Sequence, residues 1–433
     1  MNISLAGAEG WKRTLRLFGD KSLSHRSLIL ASMASGESVI HGLSKGADVA
    51  STASCLRQMG SEIDISEELP VRVSGWGDRG PAEPVGILDC GNSGTTLRLL
   101  AGLLAGSSGL FILDGDESLR KRPQGRVVRP LSEMGATLLA RRNDTLCPLV
   151  VKGARLSPFR GSPEVASAQV KSSILLAALA SGSEVEMEEL GHTRDHTEMM
   201  LRGLGVPITS DGLKISLSSG PHRWNGFEYT VPGDPSSAAF LVAAAVMGQG
   251  TKVTVEGVCL NPTRTGFFQI LERMGAKISM RVTEERMGEP VGTITAESSR
   301  LIGTEVEPHE VPPAIDEFPL LAVVATAAEG NTVVKGAEEL RVKESDRIRC
   351  VVTELSKMGA RITEAPDGFT VYGPTPLSGA VMECHHDHRL EMSLAVAALT
   401  AEGTTRLENA GWASISFPEF WSFYPGPQER SEA

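Results

Sequence analysis

The sequence predicts an α/β (α+β) fold of two lobes, built from six repeated units of about 70 residues with buried helices and short mixed strands. Two interleaved series of motifs predict this repeat. In the first series, Ala/Leu-rich runs stop at a glycine, at Gly36, Gly106, Gly182, Gly250, Gly330 and Gly403. In the second series, a Leu-x-x-Met-Gly segment or a near variant recurs at Leu56–Gly60, Leu131–Gly135, Leu201–Gly205, Leu271–Gly275 and Leu355–Gly359. Two series with one period indicate a single supersecondary unit that is used repeatedly.

Each Ala/Leu-rich run is long enough to form a buried helix. We expect the helix to end at its glycine, because glycine readily adopts the left-handed conformation just past a helix end. Runs such as Ala238–Met247 are apolar nearly all round, which is typical of interior helices. Short β-like runs follow both series, for example Thr332–Val334 and Lys277–Met280. Each unit is therefore predicted to contain two helices that alternate with short strands.

Two Gly-Asp turns, Gly19-Asp20 and Gly233-Asp234, divide the chain. We predict that lobe I comprises residues 1–18 and 234–433, that lobe II comprises residues 19–233, and that each lobe holds three units. Two crossings of the chain permit the lobes to close over ligands, so we expect the active site in the cleft between them. The alternative is a rigid solenoid of six stacked units, which would not need the paired turns.

The composition is that of a soluble globular protein, with 41% hydrophobic and 22% charged residues. A net charge of −11 argues against nucleic acid as the main partner, since no basic stripe is present. The six cysteines are scattered without a Cys-x-x-Cys pair, which predicts reduced thiols in a cytoplasmic protein. No uninterrupted apolar run approaches the length of a membrane span, so we expect no membrane association.

Polar clusters precede the predicted helices, and helix N-termini favour anions because their N–H groups are free. The segment Gly19–Arg26 places Lys21, Ser22 and Arg26 at the first helix start, as a phosphate would require. It is not a P-loop, because the Gly-x-x-x-x-Gly-Lys-Ser/Thr pattern is absent. The alternative is a capped helix start with solvated charges.

Two further helix starts favour ligand binding. The segment Asp89–Arg98 is rich in small residues, including Asn92 and Gly94, which let a ligand approach the backbone closely. A basic cluster follows it, at Arg120, Lys121, Arg122, Arg126 and Arg129. The segment Ser167–Ser173 offers hydroxyls and the carboxamide of Gln169, which suit a polyol or an anion.

Acids and histidines mark the remaining helix starts. Asp316 precedes the fifth helix, and the segment Arg341–Arg347 alternates cations and anions. This alternation is typical of a solvated face, and it also suits a site that binds anions and moves protons. His192 and His196 lack the His-Glu-x-x-His pattern, so a solvated or salt-bridged helix start is favoured there over a metal. The segment Cys384–Arg389 holds three histidines, but adjacent side chains diverge. We therefore favour Asp387 as a helix-start acid and Arg389 as an anion ligand over a metal site.

Together these motifs resemble the enolpyruvyl transferases over nearly the whole chain. The resemblance is carried by Gly-Asp-Lys-Ser-x-Ser-His-Arg, Gly-Asn-Ser-Gly-Thr-Thr, Lys-Arg-Pro-x-Gly, Ser-Ala-Gln-Val-Lys, Arg-Val-Lys-Glu-Ser-Asp-Arg and Asp-His-Arg. The forms of Ser167–Lys171, Arg194–Glu198 and Asn261–Arg264 look like the family's second bacterial class, which is often less sensitive to glyphosate. The family's fold has two lobes of three repeated units each.

The resemblance implies transfer of the enolpyruvyl group of phosphoenolpyruvate to the 5-hydroxyl of shikimate 3-phosphate, with release of phosphate, in the shikimate pathway of aromatic amino-acid biosynthesis. It implies a monomer without metal or organic cofactor, with glyphosate as an inhibitor. The implied ligands of shikimate 3-phosphate are Lys21, Ser22, Arg26, Ser167, Ala168, Gln169, Arg194, Asp316 and Lys343. The implied ligands of phosphoenolpyruvate are Lys21, Asn92, Gly94, Arg122, Gln169, Arg347 and Arg389.

The resemblance also implies the catalytic groups. Asp316 is the expected base for the 5-hydroxyl, and Glu344 with Lys21 is expected to move protons at the methylene carbon through a tetrahedral intermediate. An addition–elimination needs one group to take the hydroxyl proton and another to deliver a proton to carbon. Asp316 lies among apolar residues before a buried helix, where desolvation would raise its basicity.

Three positions depart from the family pattern. Phe18 stands where many members have proline before Gly-Asp-Lys, and Ile415 stands where many carry a lysine near phosphoenolpyruvate. Gly94 is where markedly glyphosate-tolerant members of the second class have alanine. An extra methyl group there would crowd the inhibitor, so the glycine leaves tolerance open.

Two other functions remain as alternatives. The sister enzyme transfers enolpyruvate to UDP-N-acetylglucosamine and usually works with a cysteine on a mobile loop, but Arg120–Gly125 contains no cysteine. A non-catalytic sensor of phosphorylated ligands would keep the fold and lose the acid–base groups, yet Lys21, Asp316 and Glu344 are all present.

Overall fold

The computed structural model describes residues 1–65 and 70–431. Within them, the chain divides into two compact units. Unit 1 comprises Met1–Leu17, Gly233–Glu284 and the segment from Pro290 onward, and unit 2 comprises Phe18–Pro232 and Glu285–Glu289. The sequence placed the chain crossings at about Gly19 and Gly233, next to two of these boundaries. It did not assign the segment Glu285–Glu289 to the second unit; this segment is the tip of the hairpin formed by Lys277–Arg286 and Glu289–Glu297.

The longer helices alternate with short strands, as predicted. In unit 2 they are α1 (Lys21–Met33), α2 (Ala47–Gln58), α3 (Gly94–Ala105), α4 (Gly125–Glu133), α5 (Ala168–Ser181) and α6 (His196–Gly203). In unit 1 they are α7 (Pro235–Met247), α8 (Gly266–Arg273), α9 (Phe318–Ala325), α10 (Arg347–Lys357) and α11 (His388–Ala398). Four-residue helices lie at Arg141–Asp144, Val311–Ala314 and Phe420–Phe423.

The strands of the described residues form six four-stranded sheets, three in each unit. In unit 2 their spatial orders are Glu228–Thr230, Glu37–His41, Val71–Ser74, Glu62–Asp64; Leu88–Asp89, Leu110–Asp114, Leu146–Lys152, Thr137–Ala140; and Phe159–Gly161, Val185–Glu188, Lys214–Leu217, Ile208–Asp211. In unit 1 they are Val381–Glu383, Thr405–Glu408, Asn2–Leu5, Gln428–Ser431; Lys277–Arg286, Glu289–Glu297, Lys252–Cys259, Lys12–Arg16; and Glu305–Val306, Gly330–Val334, Gly368–Gly373, Ile362–Ala365.

All six sheets follow one pairing pattern, which confirms the predicted repeat. An edge strand pairs in parallel with its neighbour, and that neighbour pairs antiparallel with the third strand. The predicted strand Lys277–Met280 extends further, to Arg286. Hydrophobic periodicity marked only its first residues, because the outer part of this hairpin strand is polar and exposed.

The core of unit 1 surrounds three helices that are buried on every side. In α9 and α11 every residue is buried, and in α7 every residue as far as Val246 is buried. For α7 this confirms the interpretation of the apolar run Ala238–Met247 as an interior helix. Two candidate-site residues adjoin the N-terminal ends of these helices: Asp316 lies just before α9, and Arg389 lies in the first turn of α11.

The glycine stops serve two different purposes. Gly182 ends α5 in the left-handed conformation with φ of 71°, as predicted. Gly106 ends α3 with φ of −89°, so the predicted left-handed stop is wrong there. A Cβ atom at Gly106 would lie 2.2 Å from the carbonyl oxygen of Ala177 in α5. This glycine is therefore required for the close approach of two helices. In the described residues, no helix is both long and apolar enough to span a membrane.

Candidate active site

In unit 2, the start of α1 presents the first group of predicted ligands. Asp20 caps the helix by accepting a hydrogen bond from the Leu23 amide at 2.8 Å, which fixes Lys21 and Ser22 in the first turn. Lys21 Nζ lies 3.0 Å from the carboxylate of Asp48 on α2. Asp48 was missed from the sequence, because nothing in its local pattern indicates a partner on another helix.

Arg26 is buried in the same unit and is held by hydroxyl groups. Its Nε donates to Thr197 Oγ1 and its Nη2 donates to Ser172 Oγ, both at 2.7 Å. Burial lowers the pKa of Arg26 to about 10, and the positive charge of Arg194 acts in the same direction. The two predicted ligands of shikimate 3-phosphate are thus near enough for their charges to interact, and the pair would favour an anion between them.

The glycine-rich turn holds Asn92 and Arg122 together. Arg122 Nη2 donates to Asn92 Oδ1 at 2.8 Å, and its Nη1 donates to the Asn92 carbonyl oxygen at 3.2 Å. Ser93 caps α3 by accepting from the Thr96 amide at 3.0 Å, so Gly94 is the first residue of the helix. Two of the residues predicted from separate motifs are therefore brought together at one helix start.

Arg98 connects this turn to α5, although it was not among the predicted ligands. Its Nη1 donates to Gln169 Oε1 at 2.5 Å, and its Nε donates to Gln124 Oε1 at 3.1 Å. Gln169 Nε2 in turn donates to Thr95 Oγ1 at 2.9 Å, which fixes the orientation of the carboxamide. The spacing of Arg98 could have predicted that it belongs to the site, because it lies four residues after Gly94 and so one turn further along the same helix face.

The residues Ser167, Ala168 and Gln169 form the start of α5, and all three are partly exposed. Ser167 occupies the N-cap position without a side-chain capping bond. Arg194 is also partly exposed, in the loop before α6. Unit 2 therefore presents a hydroxyl, a carboxamide and several cations, which is the chemistry needed to bind a phosphorylated polyol.

In unit 1, Asp316 lies among three cations. Its carboxylate oxygens are 3.8 Å from Lys343 Nζ, 3.6 Å from Arg347 Nη1 and 3.9 Å from Arg389 Nη2. From the sequence, desolvation was the one effect expected to act on the basicity of Asp316. The structure adds three nearby positive charges, which favour the carboxylate form, whereas desolvation disfavours it.

Arg347 is a buried guanidinium at the start of α10. Its Nε donates to Asp387 Oδ2 at 2.8 Å, and its Nη2 donates to Glu344 Oε2 at 2.7 Å. Burial acts to lower the pKa of Arg347, but the carboxylates of Asp387 and Glu344 outweigh it and raise the pKa. The arginine is therefore a permanent cation, with a predicted proton-transfer group as its neighbour.

Arg389 and Asp387 occupy the start of α11. Asp387 accepts a hydrogen bond from the Arg389 amide at 2.9 Å and so caps the helix, as predicted. Arg389 Nη1 donates to Glu317 Oε1 at 2.6 Å, and nearby carboxylates raise its pKa in spite of burial. Burial lowers the pKa of Lys343, even though Asp316 opposes the effect. Unit 1 thus presents two fixed guanidinium groups and one amine whose proton is held less tightly.

Three of the histidines that raised the metal question have other partners. His196 Nδ1 lies 2.6 Å from Glu289 Oε1, and both residues are fully buried. His385 Nε2 lies 2.7 Å from Glu354 Oε1, and the ring of His386 stacks on Trp412 at 4.7 Å between centroids. Of the two alternatives for this helix start, the solvated one is wrong for His196, because its ring is buried against the carboxylate of Glu289.

Two positions that depart from the family pattern, Ile415 and Phe18, lie outside the helix starts. Ile415 is buried in the short 3-10 helix Trp412–Ile415, with 9% of its surface exposed. The ring of Phe18 lies under Lys45, whose Nζ is 4.6 Å from the ring centroid.

Solved structures define the class of fold. EPSP synthase from Acinetobacter baumannii matches with a TM-score of 0.88 and 38% identity, covering 100% of both chains. The enolpyruvyl transferase NikO from Streptomyces tendae matches with a TM-score of 0.80 at 17% identity, over 100% of this chain and 99% of that one, and so shows the fold alone. The fold is that of the enolpyruvyl transferases.

Sequence comparisons give the family. The family model described as EPSP synthase (3-phosphoshikimate 1-carboxyvinyltransferase) matches residues 7–423. A 3-phosphoshikimate 1-carboxyvinyltransferase from a Synechococcus species is 47% identical over 420 residues, covering 96% of this chain and 95% of the relative. One from Geobacillus kaustophilus is 47% identical over 407 residues, covering 93% and 95%. The chain belongs to the EPSP synthase family.

Proposed function

We propose that this chain transfers the enolpyruvyl group of phosphoenolpyruvate to the 5-hydroxyl of shikimate 3-phosphate and releases inorganic phosphate. The observation that carries the proposal is the carboxylate of Asp316, which lies within 4 Å of Lys343, Arg347 and Arg389. A base surrounded by anion-binding cations suits a reaction in which a hydroxyl is deprotonated beside phosphate and carboxylate groups. Family membership supports the same reaction.

Shikimate 3-phosphate would be bound by residues of both units. In unit 2, Lys21, Ser22, Arg26 and Arg194 would hold its phosphate and carboxylate, since guanidinium and ammonium groups give strong charge-assisted hydrogen bonds. Its hydroxyl groups would be met by Ser167, Ala168 and Gln169 in unit 2 and by Asp316 and Lys343 in unit 1. Binding through so many fixed groups would orient the 5-hydroxyl for attack.

Phosphoenolpyruvate would be bound by Lys21, Asn92, Gly94, Arg122 and Gln169 of unit 2 and by Arg347 and Arg389 of unit 1. The geometry supports this assignment for the arginines, because carboxylate partners fix Arg347 and Arg389 and Asn92 fixes Arg122. Fixed cations stabilise developing charge without reorganising during the reaction.

The reaction then follows as an addition and an elimination. The 5-hydroxyl oxygen bonds to C2 of phosphoenolpyruvate while Asp316 takes the hydroxyl proton, and C3 gains a proton to become a methyl group. In the second step the bond between C2 and the phosphate oxygen breaks, phosphate leaves, and C3 loses a proton to restore the double bond. Glu344, with Lys21, would supply and remove the proton at C3. The scheme needs no metal or organic cofactor, and we infer a monomeric, cytoplasmic enzyme.

The proposed reaction is tested by measuring phosphate release from phosphoenolpyruvate with shikimate 3-phosphate, beside a parallel reaction with UDP-N-acetylglucosamine. We expect release with the shikimate compound only. Release with the nucleotide sugar alone would identify the sister reaction. A folded sample that binds shikimate 3-phosphate but releases phosphate with neither acceptor would indicate a sensor of phosphorylated ligands.

Glyphosate inhibition is expected to depend on Gly94. A Cβ atom there would lie 3.4 Å from Arg98 Nη1 and 3.6 Å from Arg122 Nη1, so Gly94→Ala places a methyl group against two guanidinium groups without a backbone clash. The substitution should change the free energy of unfolding by no more than about 1 kcal/mol, because alanine is favoured over glycine inside a helix. We expect the glyphosate inhibition constant to rise by a larger factor than the KM for phosphoenolpyruvate, since glyphosate is the longer molecule.

The matched control for this experiment is Gly86→Ala, because a Cβ atom at Gly86 would meet no atom within 4 Å. Both constants are measured in the same steady-state assay for the two variants and the unmodified enzyme. An equal rise of the inhibition constant and the KM in Gly94→Ala would show that the methyl group does not distinguish inhibitor from substrate.

A further inference from the structure

A buried lysine that the proposed reaction does not use lies two residues after Gln169, one of the proposed unit 2 ligands. Lys171, in the first turn of α5, is 1% exposed. Its Nζ lies 2.9 Å from Glu189 Oε2 and 2.7 Å from Glu198 Oε1. Glu189 follows the strand Val185–Glu188, and Glu198 lies in the first turn of α6. One ammonium group thus joins three separate elements.

These two glutamates fasten both ends of one segment. Glu189 also accepts a hydrogen bond from Thr193 Oγ1, and at the other end Ser172 Oγ lies 2.7 Å from Thr197 Oγ1. The segment between them includes Arg194, which directly follows Thr193. The side chains of α5 that hold this segment are therefore Lys171 and its neighbour Ser172.

In the cluster of Lys171, Glu189 and Glu198, the lysine supplies the positive charge that both carboxylates share. Burial acts to lower the pKa of Lys171, but the carboxylates of Glu198 and Glu189 outweigh this and raise it, so the lysine stays charged. Glu198 is itself almost fully buried, and burial raises its pKa although Lys171 opposes the effect. Without the ammonium group, two carboxylates would stand at this place without their shared cation, and the segment would move to rehydrate them.

We propose that Lys171 is a positioning residue that holds the segment carrying Arg194 against the start of α5, which carries Ser167 and Gln169, and thereby sets the affinity for shikimate 3-phosphate. The inference rests on the proposed function, because the proposed function assigns shikimate 3-phosphate as the ligand of Arg194. Lys171 itself is buried and is not a proposed ligand, so it acts through these groups.

The experiment is a double-mutant cycle between Lys171→Met and Arg194→Ala, read as the dissociation constant of shikimate 3-phosphate in isothermal titration without phosphoenolpyruvate. Lys171→Met should weaken binding by about 10- to 100-fold when Arg194 is present, because small displacements of a binding group have large effects. In the Arg194→Ala background the same change should weaken binding by less than about twofold. The matched control is Lys252→Met, which removes a half-exposed lysine paired with Glu297 at 2.7 Å and should leave the constant unchanged.

A second variant keeps the inference testable if Lys171→Met does not fold. Thr193→Val removes only the hydroxyl that donates to Glu189 and leaves the buried charges in place. We expect it to weaken binding by about 3- to 10-fold, again only when Arg194 is present. Thermal unfolding of each variant is recorded in parallel.

Three results separate the possibilities. Weakening that disappears in the Arg194→Ala background supports the inference. Equal weakening in both backgrounds would overturn it, and so would a lower unfolding temperature with an unchanged dissociation constant, which is the result of a purely structural role. Phosphate release by the unmodified enzyme tests the proposed function separately, because the binding cycle does not require turnover.

Discussion

Asp316→Asn is expected to lower kcat by about 10²- to 10⁴-fold, the usual contribution of a general base. Asparagine has nearly the same shape as aspartate but cannot accept the 5-hydroxyl proton. The substitution also removes a negative charge from among Lys343, Arg347 and Arg389, whose nitrogen atoms lie 3.6 to 3.9 Å from the carboxylate. Those cations then have one competing anion fewer, so the KM for phosphoenolpyruvate should stay the same or fall.

This split between kcat and KM distinguishes a base from a structural acid. If Asp316 served only to hold the cations in place, its neutralisation would loosen them and the KM would rise. The matched control is Asp211→Asn, which changes an exposed aspartate at the end of a unit 2 strand. Steady-state kinetics with both substrates give the two constants. A kcat within about threefold of the unmodified enzyme would remove Asp316 from the role of base.

The second large effect is expected for Arg347→Met. Arg347 is 2% exposed and bonds to Asp387 and Glu344, so its loss leaves a fully buried carboxylate at Asp387 without its cation. Breaking a buried ion pair in this way typically costs about 3–5 kcal/mol of unfolding free energy. Turnover should be lost as well, since the residue is a proposed ligand of phosphoenolpyruvate.

The two consequences are separated by a second substitution. In Arg347→Met/Asp387→Asn the buried negative charge is removed, while asparagine can still cap α11. We expect this double variant to recover part of the unfolding free energy without recovering turnover. Arg349→Met is the matched control, because Arg349 lies two residues further along α10 and is exposed. Denaturant unfolding measures the free energy of unfolding. Equal losses of this free energy in Arg347→Met and Arg349→Met would contradict the stabilising role of the buried ion pair.

The sequence predicted the features that depend on local pattern. Capping acids, glycine turns and apolar runs lie next to one another along the chain, so the starts of α1, α3 and α11 were placed correctly. The fold class followed from the spacing of these features. The functional assignment of individual residues came mainly from resemblance, because a helix start with charges is equally compatible with solvated side chains.

The partners of the site residues could not be predicted, because they are distant in sequence. Lys21 meets Asp48 on another helix, and Arg98 meets Gln169 across the interface of α3 and α5. Arg347 and Asp387 are 40 residues apart. The environment of Asp316 is the clearest case: its apolar sequence neighbours suggested desolvation, whereas tertiary structure supplies three cations that act in the opposite direction.

The most direct test of the proposed function is mass spectrometry of the product formed from phosphoenolpyruvate and shikimate 3-phosphate in D₂O. Addition places a deuteron on C3, and elimination from the resulting methyl group removes a proton more readily than the deuteron. We predict release of phosphate together with an enolpyruvyl ether of shikimate 3-phosphate that carries deuterium on its vinyl carbon. A product free of deuterium would contradict addition–elimination, and the absence of any enolpyruvyl ether would contradict the proposed function itself.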